Sequence, residues 1–201
     1  ERLLSDLPGI SITNNGGIGK ASSIFIRGAE SDHSLVLVNG LRWGSTTLGT
    51  SSLQDLPLEL IERVEVVRGP RSALYGADAL GGVIQIFTRR PAAGGGLQRE
   101  ASASVGSNAT QRAALNFGAT LDRGFWQLGG SWTDSDGTNA CRGFGAPQFV
   151  GCFTNEPDAD GYRNTSLTAR AGAEVGTYGL LEVSGSLNDG RVEFDGSFQN
   201  I

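Results

Sequence analysis

The chain has 201 residues, of which 31 are glycine, 18% are charged and none is methionine, and its formal net charge at neutral pH is −5. Glycine is thus about twice its ~7% average without a triplet period, which excludes collagen and points to many strands joined by tight turns. The acidic balance and the lack of a Lys/Arg cluster exclude a phosphate-tracking nucleic-acid surface, and no apolar run approaches the ~20 residues of a membrane helix.

In chain order, "ERLLSDLPG" sets Leu3, Leu4 and Leu7 on one helical face and stops at Pro8-Gly9. The non-Met start, running straight into this pattern, reads as the beginning of a mature or excised piece. "SSIFIRG" (22–28) and "SLVLVNGLRW" (34–43) predict strands, the second turning at Asn39-Gly40, a pair suited to the positive φ values of a type I′ hairpin. "LPLELIERV" (56–64) predicts a short helix, with Pro57 in its first turn, Glu59 at the positive end of the dipole, and Leu60 and Val64 four apart. "RVEVV" returns to strand, "RSALYG" allows one helical turn, and "GGVIQIFT" is a further strand. Together they predict a compact α+β domain over residues 1–93, closed by the Pro/Gly punctuation of "RRPAAGGGLQ".

From 94 to 201 the period is close to two. "REASASVGS", "RAALNFGATL", "FWQLGGSWTD", "SLTARAGAEV" and "LLEVSGSLND" predict five amphipathic strands, with a long loop near 135–160. A soluble sandwich and an outer-membrane barrel both use such strands; the first buries its apolar face, the second turns it to lipid. Strand lengths near ten, small or charged residues on the polar face, and Trp126 and Trp132 near the ends of one strand favour the barrel. Five strands do not close a barrel, so on that reading the chain is part of a larger one.

The glycine-rich centre "RGPRSALYGADALGG" fits neither a Walker loop nor a G-x-G-x-x-G site, which sets nucleotide binding aside. "DSDG" (134–137) and "DADG" (158–161) each place carboxylates at i and i+2 before glycine. Such pairs can hold a hard cation, so Asp158 and Asp160, helped by Asp134, Asp136 or Asn139, are candidate Ca²⁺ ligands, with solvated acidic turns as the alternative. Cys141 and Cys152, with ten residues between them in a polar stretch, read as a disulfide of an oxidising compartment, with free thiols or a metal site as alternatives. The lone His33 has no nucleophile or ligand set beside it. Arg27, Glu65, Arg68 and Arg71 are candidates for ion-paired bracing between the small domain and a barrel wall. No catalytic triad or glycosidase pair is present, and the pattern points to binding and transport rather than enzymatic work.

The stretches "ISITNNGGIGKASSIFIRG", "HSLVLVNGLRW" and "LPLELIERVEVVRGPRSALYGADALGGVIQIFTRR", with the strands after them, resemble the plug and first barrel strands of TonB-dependent outer-membrane transporters. Within that family "SSIFIRGAESDHSLVLVNG" and "DADGY" look most like the cobalamin receptor branch; siderophore and haem receptors share the core segment. The resemblance implies a bacterial outer-membrane location, a 22-stranded barrel filled by the plug, and contact with TonB through a segment upstream of Glu1. It implies outer-membrane lipid around the wall and cobalamin or another metal chelate as ligand. It further implies Ca²⁺-ordered outer loops at positions matching Asp158 and Asp160, and substrate contacts at Ser31, Asp32 and His33 and in the loop carrying Trp43, Ser45, Thr46 and Thr47. A secreted or surface binding module without transport is the alternative outside this class.

Overall fold

The structure, a computed structural model, describes residues 2–44, 51, 53–92, 94–139 and 159–193. A short helix α1 (Arg2–Ser5) leads into β1 (Ile10–Asn14), which pairs antiparallel with β2 (Ser22–Ile26). The sequence reading missed β1, although Ile10 and Ile12 alternate with polar residues as a half-buried strand requires. After β2 come β3 (Ser34–Val38), β4 (Leu41–Arg42), β5 (Ile61–Arg68), a helical turn α2 (Ser72–Tyr75) and β6 (Gly82–Thr88). These strands make a four-stranded sheet in the order β4-β3-β6-β5, with β3 and β6 parallel. Because β3 is central and covered on both sides, its "SLVL" run is buried without alternation.

The predicted hairpin turn is present: Asn39 has φ 51° and Gly40 φ 84°. The Asn39 carboxamide also holds Thr88, accepting from its main-chain N–H at 3.0 Å and donating to its hydroxyl at 2.8 Å. The helix expected over 56–64 is not formed. Only Leu58–Leu60 makes a 3₁₀ turn, and from Ile61 the chain pairs with β6, Val64 opposite Ile86 and Val66 opposite Ile84. Isoleucine and three valines in this run suit a pleated strand, and pairing with a neighbouring strand overrides the weak four-residue spacing. Ile10, Ile24, Ile26, Val36, Leu53, Ile84 and Ile86 form the core shared by the two sheets, and Leu4 of α1 closes it.

The second half is one antiparallel meander of β7 (Gly96–Val105), β8 (Gln111–Leu121), β9 (Gly124–Thr138), β10 (Asp160–Glu174) and β11 (Leu180–Val192), paired in sequence order. "DSDG" lies inside β9 rather than in a turn, so Asp134 and Asp136 are strand residues. Short turns at 122–123 and 175–179 mark one rim; β9 and β10 are joined at the other by the long segment 139–159.

The amphipathicity is inverted relative to a soluble sheet. Outward-facing Leu115, Leu128 and Leu167 are 51%, 52% and 55% exposed, while the inward-facing polar Asn116, Gln127, Asn164 and Ser166 are 8%, 7%, 7% and 1% exposed. A sandwich would do the reverse, and this decides for a wall with lipid on its apolar side. On β9 the apolar outer face runs from Trp126 to Trp132; beyond it Asp134 accepts from Arg163 at 2.6 Å. Trp132 therefore sits at the limit of the apolar band, though β9 continues six residues further. In the full-length protein Leu167→Arg is expected to destabilise the barrel by about 2–4 kcal/mol if this position is near the bilayer midplane. Unfolding in lipid vesicles measures it, and an unchanged midpoint would mean that this face does not meet hydrocarbon.

Candidate functional site

The two halves meet where the plug lies against the inward face of the wall, and that contact is the candidate site. Its upper part, at the long-segment rim, is built from the glycine-rich loop 15–21 between β1 and β2. Asn14 shapes the loop by accepting from the main-chain N–H of Gly16 at 2.9 Å and of Gly17 at 3.3 Å, and by donating to the Ser22 hydroxyl at 3.0 Å. Gly19, at φ +77°, lies so close to the Tyr162 ring that an added Cβ would stand 2.0 Å from Cδ2. Lys20 then places its ammonium 3.0 Å from the Asp160 carboxylate, and also donates to the main-chain carbonyl of Glu193. Below them Tyr162 donates to the Gln54 carbonyl at 3.1 Å, Asn164 donates to the Tyr162 hydroxyl at 2.8 Å, and Ser166 donates to Asn164 at 2.9 Å. A column of inward polar side chains thus ties β10 to the plug.

The middle contact is steric. Leu60 is 1% exposed, and a Cβ on Gly129 of β9 would come within 2.9 Å of it. The lower contact is ionic: Glu182 of β11 accepts from Arg170 of β10 at 2.5 Å and from Arg90 of the plug exit segment. Arg170 also donates to the Thr88 carbonyl at 3.1 Å, and the Arg90 guanidinium stands 4.6 Å from the Phe125 ring centroid. Beside it Arg89 donates to the Glu59 carbonyl at 2.9 Å and pairs with Glu100 of β7 at 2.5 Å. A cavity of ≈ 240 Å³ remains between plug and wall, lined by Trp43, Leu56 and Ile86 on one side and by Ser184, Ser186 and Asn188 on the other.

The sequence-predicted residues are distributed differently. Ser31, Asp32 and His33 form a 3₁₀ turn after β2, at the end of the β1–β2 hairpin away from loop 15–21. The ligating atoms of Glu30, Asp32 and His33 lie within 4.8 Å of one another, a small cluster that could coordinate a metal ion. Trp43 is half-buried against the plug core, and Ser45, Thr46 and Thr47 fall outside the described residues. Asp136 is exposed, Asn139 is half-buried, Asp160 is buried, and Asp158, Cys141 and Cys152 fall outside the described residues. Glu65 accepts from Arg63 at 2.8 Å within the plug, and among the described residues Arg27, Arg68 and Arg71 have no ion pair. Among the described residues, the plug–wall ion pairs are those of Lys20, Arg89 and Arg90. Arg170 and Glu182 fall on the polar faces of "SLTARAGAEV" and "LLEVSGSLND", and nothing in the sequence pairs Lys20 with a residue 140 positions away.

An N-terminal plug seated on antiparallel strands with an apolar outer face is the arrangement of the TonB-dependent outer-membrane receptors, a bacterial and non-catalytic class. Residues 1–83 match the family described as TonB-dependent Receptor Plug Domain. The chain is 37% identical over 206 residues to the Vitamin B12 transporter BtuB of Photobacterium profundum, covering 98% of this chain and 30% of that relative. Among solved structures it superposes on the Copper transporter OprC with TM-score 0.73 at 21% identity, covering 94% of this chain and 27% of that one. It also superposes on the siderophore receptor PirA from Acinetobacter baumannii with TM-score 0.69 at 21% identity, covering 97% and 29%. The chain therefore spans about a third or less of the proteins it resembles.

Two substitutions test the docking. Gly19→Ala in the full-length protein forces a non-glycine residue into a left-handed conformation and into the Tyr162 ring, and should lower plug stability by more than about 1 kcal/mol. Adding Tyr162→Ala should return the steric part; thermal unfolding of the single variant at the parent temperature would contradict this contact. Burial raises the Asp55 carboxyl above its ordinary value of 3.8. The folded state then holds more protons than the unfolded one between the two values, so this contribution is fully present below 3.8 and is lost as pH rises through the raised value. Asp55→Asn should accordingly stabilise at neutral pH and lose that advantage in acid, as read from denaturation curves across pH.

Proposed function

We propose that the full-length protein takes up a metal chelate across the outer membrane, with the plug closing the lumen until TonB, acting through a segment upstream of Glu1, opens it. The observation that supports this is the polar, hydrogen-bonded contact between plug and wall: a seal made of ion pairs and single hydrogen bonds can be rearranged piecewise, as a continuous apolar interface cannot. Arg27, Arg68 and Arg71 are proposed to brace wall beyond these five strands. Within this reading a corrinoid ligand is supported by the 37% identity to a vitamin B12 transporter. A ferric siderophore is at least as well supported a ligand class, since the same plug-and-wall fold serves proteins named for siderophores, and also one named for copper.

Trp43, Ser45, Thr46 and Thr47 are the proposed plug contacts to that ligand. Ser31, Asp32 and His33 enter the proposal less directly, being at the other end of the β1–β2 hairpin from the rim where the plug loop docks. Cys141 and Cys152 are proposed as a disulfide within the outer segment. Calcium ordering of that segment, which the acidic residues Asp158 and Asp160 with Asp136 or Asn139 suggest, would compete with Lys20 for Asp160. Asp160 is buried against Lys20 and Asp136 is exposed on β9, and no transport step is assigned to a metal. Calorimetry of the full-length protein with cobalamin, a ferric siderophore, haem and a copper salt, each with and without chelator, separates the ligand classes. Heat from cobalamin alone supports the corrinoid; heat from the siderophore alone replaces it; no heat from any of them overturns uptake of a metal chelate.

A further inference from the structure

Asp160 presents an unusual demand. Its side chain is 5% exposed at the first residue of β10, and a carboxylate so far from water is costly unless a cation and hydrogen-bond donors meet it. The acidic pattern around it invites a divalent ion from solution. The structure shows a different source of charge. Lys20, itself 11% exposed, sets its ammonium 3.0 Å from Asp160 Oδ1 and donates to the main-chain carbonyl of Glu193, while Glu193 Oε2 accepts from the main-chain N–H of Gly161 at 3.2 Å. One plug side chain therefore bonds both the start of β10 and the residue just past β11. The nearby Asp134 does not share this environment, since it pairs with Arg163 at the outer edge of the wall. Lys20 is also held in position: Asn14 fixes the loop preceding it, and Gly19 seats that loop on the Tyr162 ring.

We propose that Lys20 is the resident counter-ion of Asp160 and the residue that positions loop 15–21 on the wall, so that docking of this loop requires no divalent metal. The inference is independent of which ligand is carried and of transport itself. It turns on whether the cation at Asp160 belongs to the chain or comes from solution.

Hydrogen exchange of the full-length protein in detergent reads the loop through the bonded amides of Asn15, Gly16 and Gly17. Amides of β8 and β9 in the same sample report the wall. In the parent protein neither a chelator nor added Ca²⁺ should change the loop exchange. Lys20→Met should accelerate it on the order of tenfold, the loss of a buried charge-assisted bond, with the wall amides unchanged. Asp160→Asn should accelerate it as well, and the double variant should show less than the product of the two effects. If Lys20→Met disturbs the wall amides, Asp160→Asn carries the same comparison. Acceleration by chelator in the parent, or unaltered loop exchange in both single variants, overturns the proposal.

Discussion

A sheet whose apolar side faces lipid must turn its polar side inward, and nearly everything else in this chain follows from that inversion. Asn116, Gln127, Asn164, Ser166, Arg170 and Glu182 all point into the lumen, where no water-excluding core can form among them. Whatever fills that lumen has to satisfy donors and acceptors one by one. The plug does so with main-chain carbonyls at Gln54 and Thr88, with Lys20 and Arg90, and with an apolar anchor at Leu60. Its own apolar side chains are kept for an internal core around Ile26, Val36 and Ile84. The plug is thus a folded unit first and a filler second.

The upper and lower contacts differ in kind. The lower level combines Arg90, Arg170 and Glu182 with the Phe125 ring, several charges and a π-face in one cluster close to where the plug chain passes into β7. The upper level depends on Lys20 and on the fit of Gly19 against Tyr162. Covalent continuity reinforces the lower contact, since only a few residues separate Arg90 from the wall strand that begins at Gly96. The upper contact joins residues far apart in sequence, and only packing and charge keep it closed.

The strands of the wall were legible because lipid and lumen alternate along every one of them, giving a period-two signal over ten or more residues. The Asn39-Gly40 turn was legible because only a few residue types accept its dihedral angles. The stretch 56–64 was misread because a helical spacing of two residues is weak beside the pairing available from β6, which no local window contains. β1 was overlooked although its alternation is visible, being only five residues long and followed at once by glycines. The site was read least well. Acidic pairs suggested where charge collects, but whether a carboxylate meets a metal, a lysine or water depends on a partner 140 residues away. The position of Asp134 and Asp136 inside β9 could not be seen either, since Gly137 resembles a turn residue and is instead accommodated opposite a register shift at Asp160/Tyr162.

The last consequence comes from the length of β9. Its apolar outer face ends at Trp132, yet the strand continues to Thr138 and stays paired with β10. Six further residues at ~3.3 Å each add roughly 20 Å of strand path, and about two thirds of that in height for a tilted strand. The wall therefore forms a collar standing clear of the hydrocarbon. Lys20 and Asp160 lie at the level of that collar, so this plug–wall contact is made beyond the depth of the hydrocarbon, on the side of the long segment.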